Sequence, residues 1–163
     1  LTRDFEFISK LIHLTLETKI KFFKKDVEER KERLKLNFGH TYAHAIEMAL
    51  ESKNFELIRH GEAVAIGLLC EIYYGNGIDK HFKIVREILK IYKIPHNLNF
   101  YKKKISVNLL KRKIFKNIFL DKKRIGKYPR YIELSNIGNS KISDMKNYDK
   151  INETIRRVIF EKK

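Results

Sequence analysis

Three imidazoles, His40, His44 and His60, lie within one stretch, RLKLNFGHTYAHAIEMALESKNFELIRHGEAVAIG, that runs from Arg33 to Gly67. Neutral imidazole is the commonest side-chain metal ligand, so His40 with His60 can supply two ligands to a divalent ion. A catalytic zinc uses three protein ligands and keeps one position open, so a third ligand must come from elsewhere. His40 and His44 have the spacing of the zinc-protease motif H-E-x-x-H. Thr41 stands where that chemistry needs its general-base Glu, which excludes the protease reading.

The element that must position these side chains is a helix, expected over Arg33 to Ala49. On one helix Arg33, Asn37, His40 and His44 step by four, three and four residues and share a face. A cation, an amide and two imidazoles on one side suit a polar site rather than a core, while Ala45, Ile46, Ala49 and Leu50 form an apolar stripe opposite. Gly39 inside such a helix costs about 1 kcal/mol against Ala, which implies a close approach of backbone or ligand there. Ser52-Lys53-Asn54 breaks the pattern. His60 then opens a second, buried helix, GEAVAIGLLCEIYYG, in which Ala63, Ala65 and Gly67 permit close packing. The intervening loop lets the third imidazole fold back over the first two. Glu62 is either an orienting partner of His60 or a first-turn acid favoured by the helix dipole.

These residues carry a resemblance. LNFGHTYAHAIE followed by HGEAVAIGL is similar to the pattern R-x-x-L-N-F-G-H-T-x-G-H-A-x-E and H-G-E-A-V-A-x-G of the C-terminal domain of 3-dehydroquinate synthase, a sugar-phosphate cyclase. The resemblance implies a mainly α fold, the helical C-terminal domain of that family, with a short β hairpin near 130–142. It implies that residues 1–163 are one metal- and substrate-binding domain and that the NAD-binding domain belongs to an N-terminal half this chain does not contain. The implied reaction converts 3-deoxy-arabino-heptulosonate 7-phosphate to 3-dehydroquinate and phosphate, with NAD+ and Zn2+ or Co2+ as cofactors. His40 and His60 match the two histidine metal ligands, the third being a Glu of the absent half. Arg33 and Lys19 match residues that hold the substrate carboxylate. Asn37, His44 and Lys122 match groups around the phosphate, with Lys123 the alternative to Lys122, and His44 can also join the proton relay. Val27 and Lys31 depart from an expected Glu and Gly, and Ala43 replaces a usual Gly. The implied partners are a phosphorylated small molecule, the missing NAD-binding domain and further copies of the intact enzyme; the implied setting is cytoplasmic. Alone, the chain is expected to be inactive.

The rest of the chain supports a packed helical domain. Asp4 is placed to cap a long helix through FEFISKLIHLTLETKIKFFKKDVEER, with Phe5, Ile8, Ile12, Leu16, Ile20 and Phe23 as one apolar face. Gly75-Asn76-Gly77 ends the His60 helix, and Asp79 starts another with Phe82, Val85, Ile88, Leu89 and Tyr92 inward. His13 and His81 are expected on helix surfaces and His96 in a loop. The basic, apolar run from Lys102 to Leu120 is either a packed helix or a membrane-surface one. YIELSNIGNSKIS alternates as a strand pair, and Asp149 caps a last helix docked by Ile151, Ile155, Val158 and Ile159.

Composition narrows the function classes. The 163 residues suffice for one domain with a core, and a net charge of +16 favours anionic partners. A solvated lysine surface explains the same charge without a function. No nucleic-acid-binding motif accompanies it, so a basic nucleic-acid-binding helical module is the weakest rival. A nearer rival is another cyclase of the superfamily, of the 2-deoxy-scyllo-inosose or valiolone synthase type. The single cysteine, Cys70, forms no internal disulfide and sits among core residues. The chain starts at Leu1 rather than Met and is read as part of a longer protein.

Overall fold

A computed structural model describes residues 4–51, 57–99, 106–120 and 127–160. The Ser52-Lys53-Asn54 break, Lys122 and Lys123 lie outside them. The chain divides into two compact units, Leu1–Asn37 and Phe38–Lys163.

In the first unit, α1 spans Phe5–Lys25. Asp4 caps it as expected, its carboxylate accepting the Phe7 N–H at 3.1 Å. The helix stops at Asp26, earlier than the sequence suggested. The Asp26 side chain turns forward and accepts the N–H groups of Arg30 (3.0 Å), Lys31 (2.7 Å) and Arg33 (3.0 Å). One carboxylate thus satisfies three backbone donors of a turn in which Glu29 adopts a left-handed φ of 54°. Those donors hold the Asp26 carboxyl below its usual range, led by the Arg30 N–H. A 3-10 helix, Glu32–Asn37, follows. The apolar stripe of α1 is present but uncovered: no residue of the helix is buried.

The second unit is organised around two crossed helices, α2 (His40–Leu50) and α3 (His60–Asn76). The single helix expected from Arg33 to Ala49 does not form. Gly39 takes a φ of 84° and separates the 3-10 helix from α2, so Arg33 and Asn37 are not on the helix that carries His40 and His44. The close approach inferred for Gly39 is real. A Cβ there would lie 2.7 Å from the Leu68 nitrogen and 2.9 Å from the Val64 carbonyl oxygen of α3. Gly67 faces it, and a Cβ at Gly67 would collide with the Gly39 carbonyl oxygen. The two glycines let the backbones of α2 and α3 touch.

The core gathers around that contact. α3 buries Ala63, Ile66, Leu69, Cys70 and Ile72, and α2 buries Tyr42, Ala45, Ile46 and Leu50. Helix α4 (Lys80–Ile91) is capped by Asp79, which accepts the Phe82 N–H at 2.8 Å. Phe82 and Leu89 are buried, whereas Ile88 and Tyr92, expected inward, are exposed. His81 reverses its expectation: it is buried, with Nδ1 2.8 Å from the Asp79 carboxylate. His13 stays on the surface beside Glu17. In α5 (Val107–Ile118), Leu110, Ile114 and Ile118 recur every four residues and are fully buried. Each such side chain contributes about 1.5–3 kcal/mol of burial. Asn117 Nδ2 donates to the Ala45 carbonyl at 3.2 Å, fastening α5 to α2. The apolar face of α5 is therefore a packing face, not a membrane-facing one.

The hairpin forms as expected. Strands β1 (Arg130–Asn136) and β2 (Asn139–Asp144) pair antiparallel, Ile132 opposite Ile142. Helix α6 (Tyr148–Thr154) runs into a π turn, Ile155–Ile159, and the Ile151, Ile155, Val158 and Ile159 stripe is buried. Its cap is Asn147, which accepts the Lys150 N–H at 2.9 Å; Asp149 sits in the first turn instead. Among the described residues no helix is long and apolar enough to cross a membrane.

Candidate metal and substrate site

His40 is the first residue of α2 and His44 lies one turn later on the same face. His60 is the first residue of α3. α2 packs on α3 at Gly39 and Gly67, His60 lies alongside the face of α2 that carries His40, His44 and Glu47, and the three rings converge. The His40 and His60 centroids are 5.3 Å apart, His40 and His44 5.6 Å, and His44 and His60 6.3 Å. With Zn–N bonds of about 2.0–2.1 Å, two imidazoles at a tetrahedral angle on one ion have centroids about 5 Å apart. The His40–His60 pair fits that spacing.

His60 has an orienting partner that the sequence reading did not single out. Glu47, one turn beyond His44 on α2, places Oε1 2.8 Å from His60 Nδ1. A carboxylate on Nδ1 fixes the ring and leaves Nε2 for a ligand, the usual support of a metal-bound histidine. Glu62, the earlier candidate, is engaged elsewhere: it accepts the Arg59 N–H at 3.0 Å and caps its own helix. The signal for Glu47 was its three-residue step from His44 along the polar side of α2, but only the packing of the helices brings it to His60. The His60 side chain is 59% exposed and that of Glu47 28%, so the rings line an open surface. Beside them a cavity of about 240 Å³ is lined by Glu47, Leu50, Leu57, Ile58 and His60. Among the described residues no group of three His, Cys, Asp or Glu side chains is placed to hold a metal ion. A pair of imidazoles needs further ligands from outside those residues.

In the first unit, Arg33 and Asn37 are brought together through Glu29. Asn37 Nδ2 donates to Glu29 Oε1 at 2.8 Å, and Arg33 Nη2 lies 3.7 Å from Glu29 Oε2. Arg33 Nη1 donates to the Val27 carbonyl at 2.9 Å, and its guanidinium stacks 5.0 Å above the Phe23 ring. These contacts hold the guanidinium plane in one orientation, which suits fork-like capture of a carboxylate. Lys19 lies on the exposed surface of α1.

One further buried acid was not anticipated. Glu71 of α3 is fully buried; its Oε2 accepts the Ile132 N–H of β1 at 2.8 Å and its Oε1 the Thr41 N–H of α2 at 3.3 Å. Burial pushes its carboxyl up to about 8, against the opposing pull of the Ile132, Gly39 and Thr41 donors. Burial likewise raises the Cys70 thiol, consistent with the core role expected of it.

Comparison with known proteins places these features in a family. A family model described as 3-dehydroquinate synthase C-terminal matches residues 1–124. A 3-dehydroquinate synthase of Chlorobaculum parvum is 35% identical over 142 residues, covering 84% of this chain and 37% of that protein. One from Thermodesulfovibrio yellowstonii is 32% identical over 165 positions, covering 99% of this chain and 42% of the relative. The chain thus spans about two-fifths of the length of these relatives. A crystal structure of 2-deoxy-scyllo-inosose synthase complexed with carbaglucose-6-phosphate, NAD+ and Co2+ shares the fold, with a TM-score of 0.73 at 23% identity, over 94% of this chain and 43% of that one. On the family match and these identities, the chain belongs to the 3-dehydroquinate synthase C-terminal family.

Proposed function

We propose that residues 1–163 form the metal- and substrate-binding domain of a cytoplasmic 3-dehydroquinate synthase. The intact enzyme converts 3-deoxy-arabino-heptulosonate 7-phosphate to 3-dehydroquinate and phosphate. The observation that carries this is the 5.3 Å approach of the His40 and His60 rings from two helices, with Glu47 on His60 Nδ1. His40 and His60 hold a divalent ion, Zn2+ or Co2+, and an acid from the NAD-binding half completes its coordination. When bound, NAD+ accepts and returns hydride and the metal polarises substrate hydroxyls.

The chain's own residues bind and orient. Arg33, pinned by Glu29 and the Phe23 ring, presents its fork to the substrate carboxylate together with Lys19. Asn37, His44 and Lys122 take the phosphate, and the high positive charge favours capture of that dianion. His44, one turn from His40 on α2, relays a proton at an imidazole nitrogen. Residues 1–163 by themselves are inactive, because the hydride chemistry belongs to the NAD-binding half of the intact enzyme, which works as a homo-oligomer.

A second reading is favoured by one observation, the fold shared with a 2-deoxy-scyllo-inosose synthase. Assaying the intact protein on heptulosonate phosphate, glucose 6-phosphate and sedoheptulose 7-phosphate separates the two. Phosphate release from the heptulosonate alone, lost with Zn2+ binding in His40→Ala and His60→Ala, is the expected result. Turnover of glucose 6-phosphate instead, or full Zn2+ binding in both variants, overturns the proposal.

A further inference from the structure

Helix α2 begins without a cap of its own. Its N-cap residue is Gly39, which has no side chain to accept the first-turn N–H groups. Any other residue there is strained, because a Cβ would lie 2.7 Å from the Leu68 nitrogen and the φ is 84°. The need for close packing against α3 has therefore removed the usual means of finishing the helix start, at the residue preceding His40.

We propose that Glu71 supplies that cap from α3 and is thereby the positioning residue for His40, a role that rests on the metal-site reading above. The Glu71 carboxyl group reaches the Thr41 N–H with Oε1 at 3.3 Å and the Ile132 N–H with Oε2 at 2.8 Å. It is fully buried, so water cannot replace it. Thr41 adds a second tie to the same strand: its hydroxyl donates to the Arg130 carbonyl at 2.6 Å. The first turn of α2 is thus clamped between α3 and β1, and His40, immediately before Thr41, takes its direction from that clamp. His60 is held differently, by Glu47. Two separate buried or half-buried acids therefore set the two rings: Glu71 through the backbone, Glu47 through the imidazole.

Three measurements on the intact protein test this. In the wild-type protein, site-resolved hydrogen exchange should show the Thr41 amide exchanging at least 100-fold more slowly than the exposed first-turn amide of Glu6 in α1. Similar rates would overturn the cap. In Glu71→Ala, the His40 ring NMR signals should shift while those of His60 stay in place, and Co2+ affinity should fall at least tenfold. Glu71→Gln, which keeps one acceptor, should restore part of both. Ile151→Ala, a core change in α6, is the stability-matched control and should leave Co2+ affinity within twofold. If Glu71→Ala behaves like that control, the positioning role is wrong. If Glu71→Ala does not fold, Glu71→Gln is read against the same control, and an unchanged His40 signal refutes the role. A wild-type protein that binds no Co2+ refutes the metal reading instead, and the ring signals still decide the role of Glu71.

Discussion

Replacing Gly39 by Ala tests the helix crossing on which the histidine cluster depends. Two costs add. An alanine at a φ of 84° pays roughly 1–2 kcal/mol for the left-handed conformation. Its Cβ would also stand 2.7 Å from the Leu68 nitrogen and 2.9 Å from the Val64 oxygen. Both are main-chain atoms of a buried helix, so no rotamer change relieves the clash; α2 must slide on α3. Overpacking of that kind costs about 1–3 kcal/mol, for a total of about 2–5 kcal/mol. At about 2–4 °C per kcal/mol for a domain of this size, Tm should fall by roughly 4–20 °C. Gly61→Ala is the internal control. It sits in the first turn of α3 with nothing within 4 Å of an added Cβ, and alanine there should gain up to about 1 kcal/mol. Thermal unfolding of both variants in the intact protein, followed by circular dichroism, gives the answer. A Gly39→Ala protein that melts with or above its parent would show that α2 and α3 do not meet at these residues.

Glu47→Gln should weaken Zn2+ binding by about 10- to 100-fold while leaving the fold intact, because the amide holds His60 Nδ1 less firmly; competition with a chromogenic chelator measures it. Glu71 makes stability depend on pH with a definite sign. Its folded pKa of about 8 lies above its ordinary 4.5, so the folded state holds a proton the unfolded state has lost between those values. Its contribution is complete below pH 4.5 and is lost as pH rises through 8, a slope that urea unfolding should detect and that Glu71→Gln should abolish. Asp26 acts in the opposite sense: its folded pKa is lowered, so its contribution is present above its ordinary 3.8 and lost as pH falls through the lower folded value. In Asp26→Asn the amides of Arg30, Lys31 and Arg33 should exchange faster with solvent at neutral pH. Thr41→Val should cost about 1 kcal/mol by removing one partly buried hydrogen bond to the Arg130 carbonyl, measured by urea unfolding.

Much of the secondary structure was legible because its signals are local. Asp4 and Asp79 cap the helices they precede, Gly77 closes α3, and the alternation around Gly138 makes a hairpin. Periodicity identified the buried stripe of the Ile151–Ile159 segment, whereas for α5 it left a packed and a membrane-surface helix both open. It misjudged the Arg33–Ala49 helix, because Gly39 in a helical pattern reads as a tolerated weak point. Only the α3 backbone pressing on it shows that the chain turns there. It misjudged α4 as well: apolar spacing put Ile88 and Tyr92 inward, yet neither found a surface to cover it. The spacing of His81 carried no trace of the Asp79 carboxylate that makes its burial tolerable.

The order of residue types along the chain determined which side chains are available: imidazoles at 40, 44 and 60, a cation at 33 and an amide at 37, each at the start or on one face of a short element. What only the tertiary structure decided is which of them meet. Two glycines let α2 and α3 cross at van der Waals contact, and that crossing carries His60 and Glu47 from thirteen residues apart to hydrogen-bonding distance. The same crossing leaves α2 without a cap of its own and sets the buried Glu71 in its place. Helical spacing is a property of one segment, whereas the meeting of side chains from two helices is fixed by backbone sterics between segments, which no period in the sequence records.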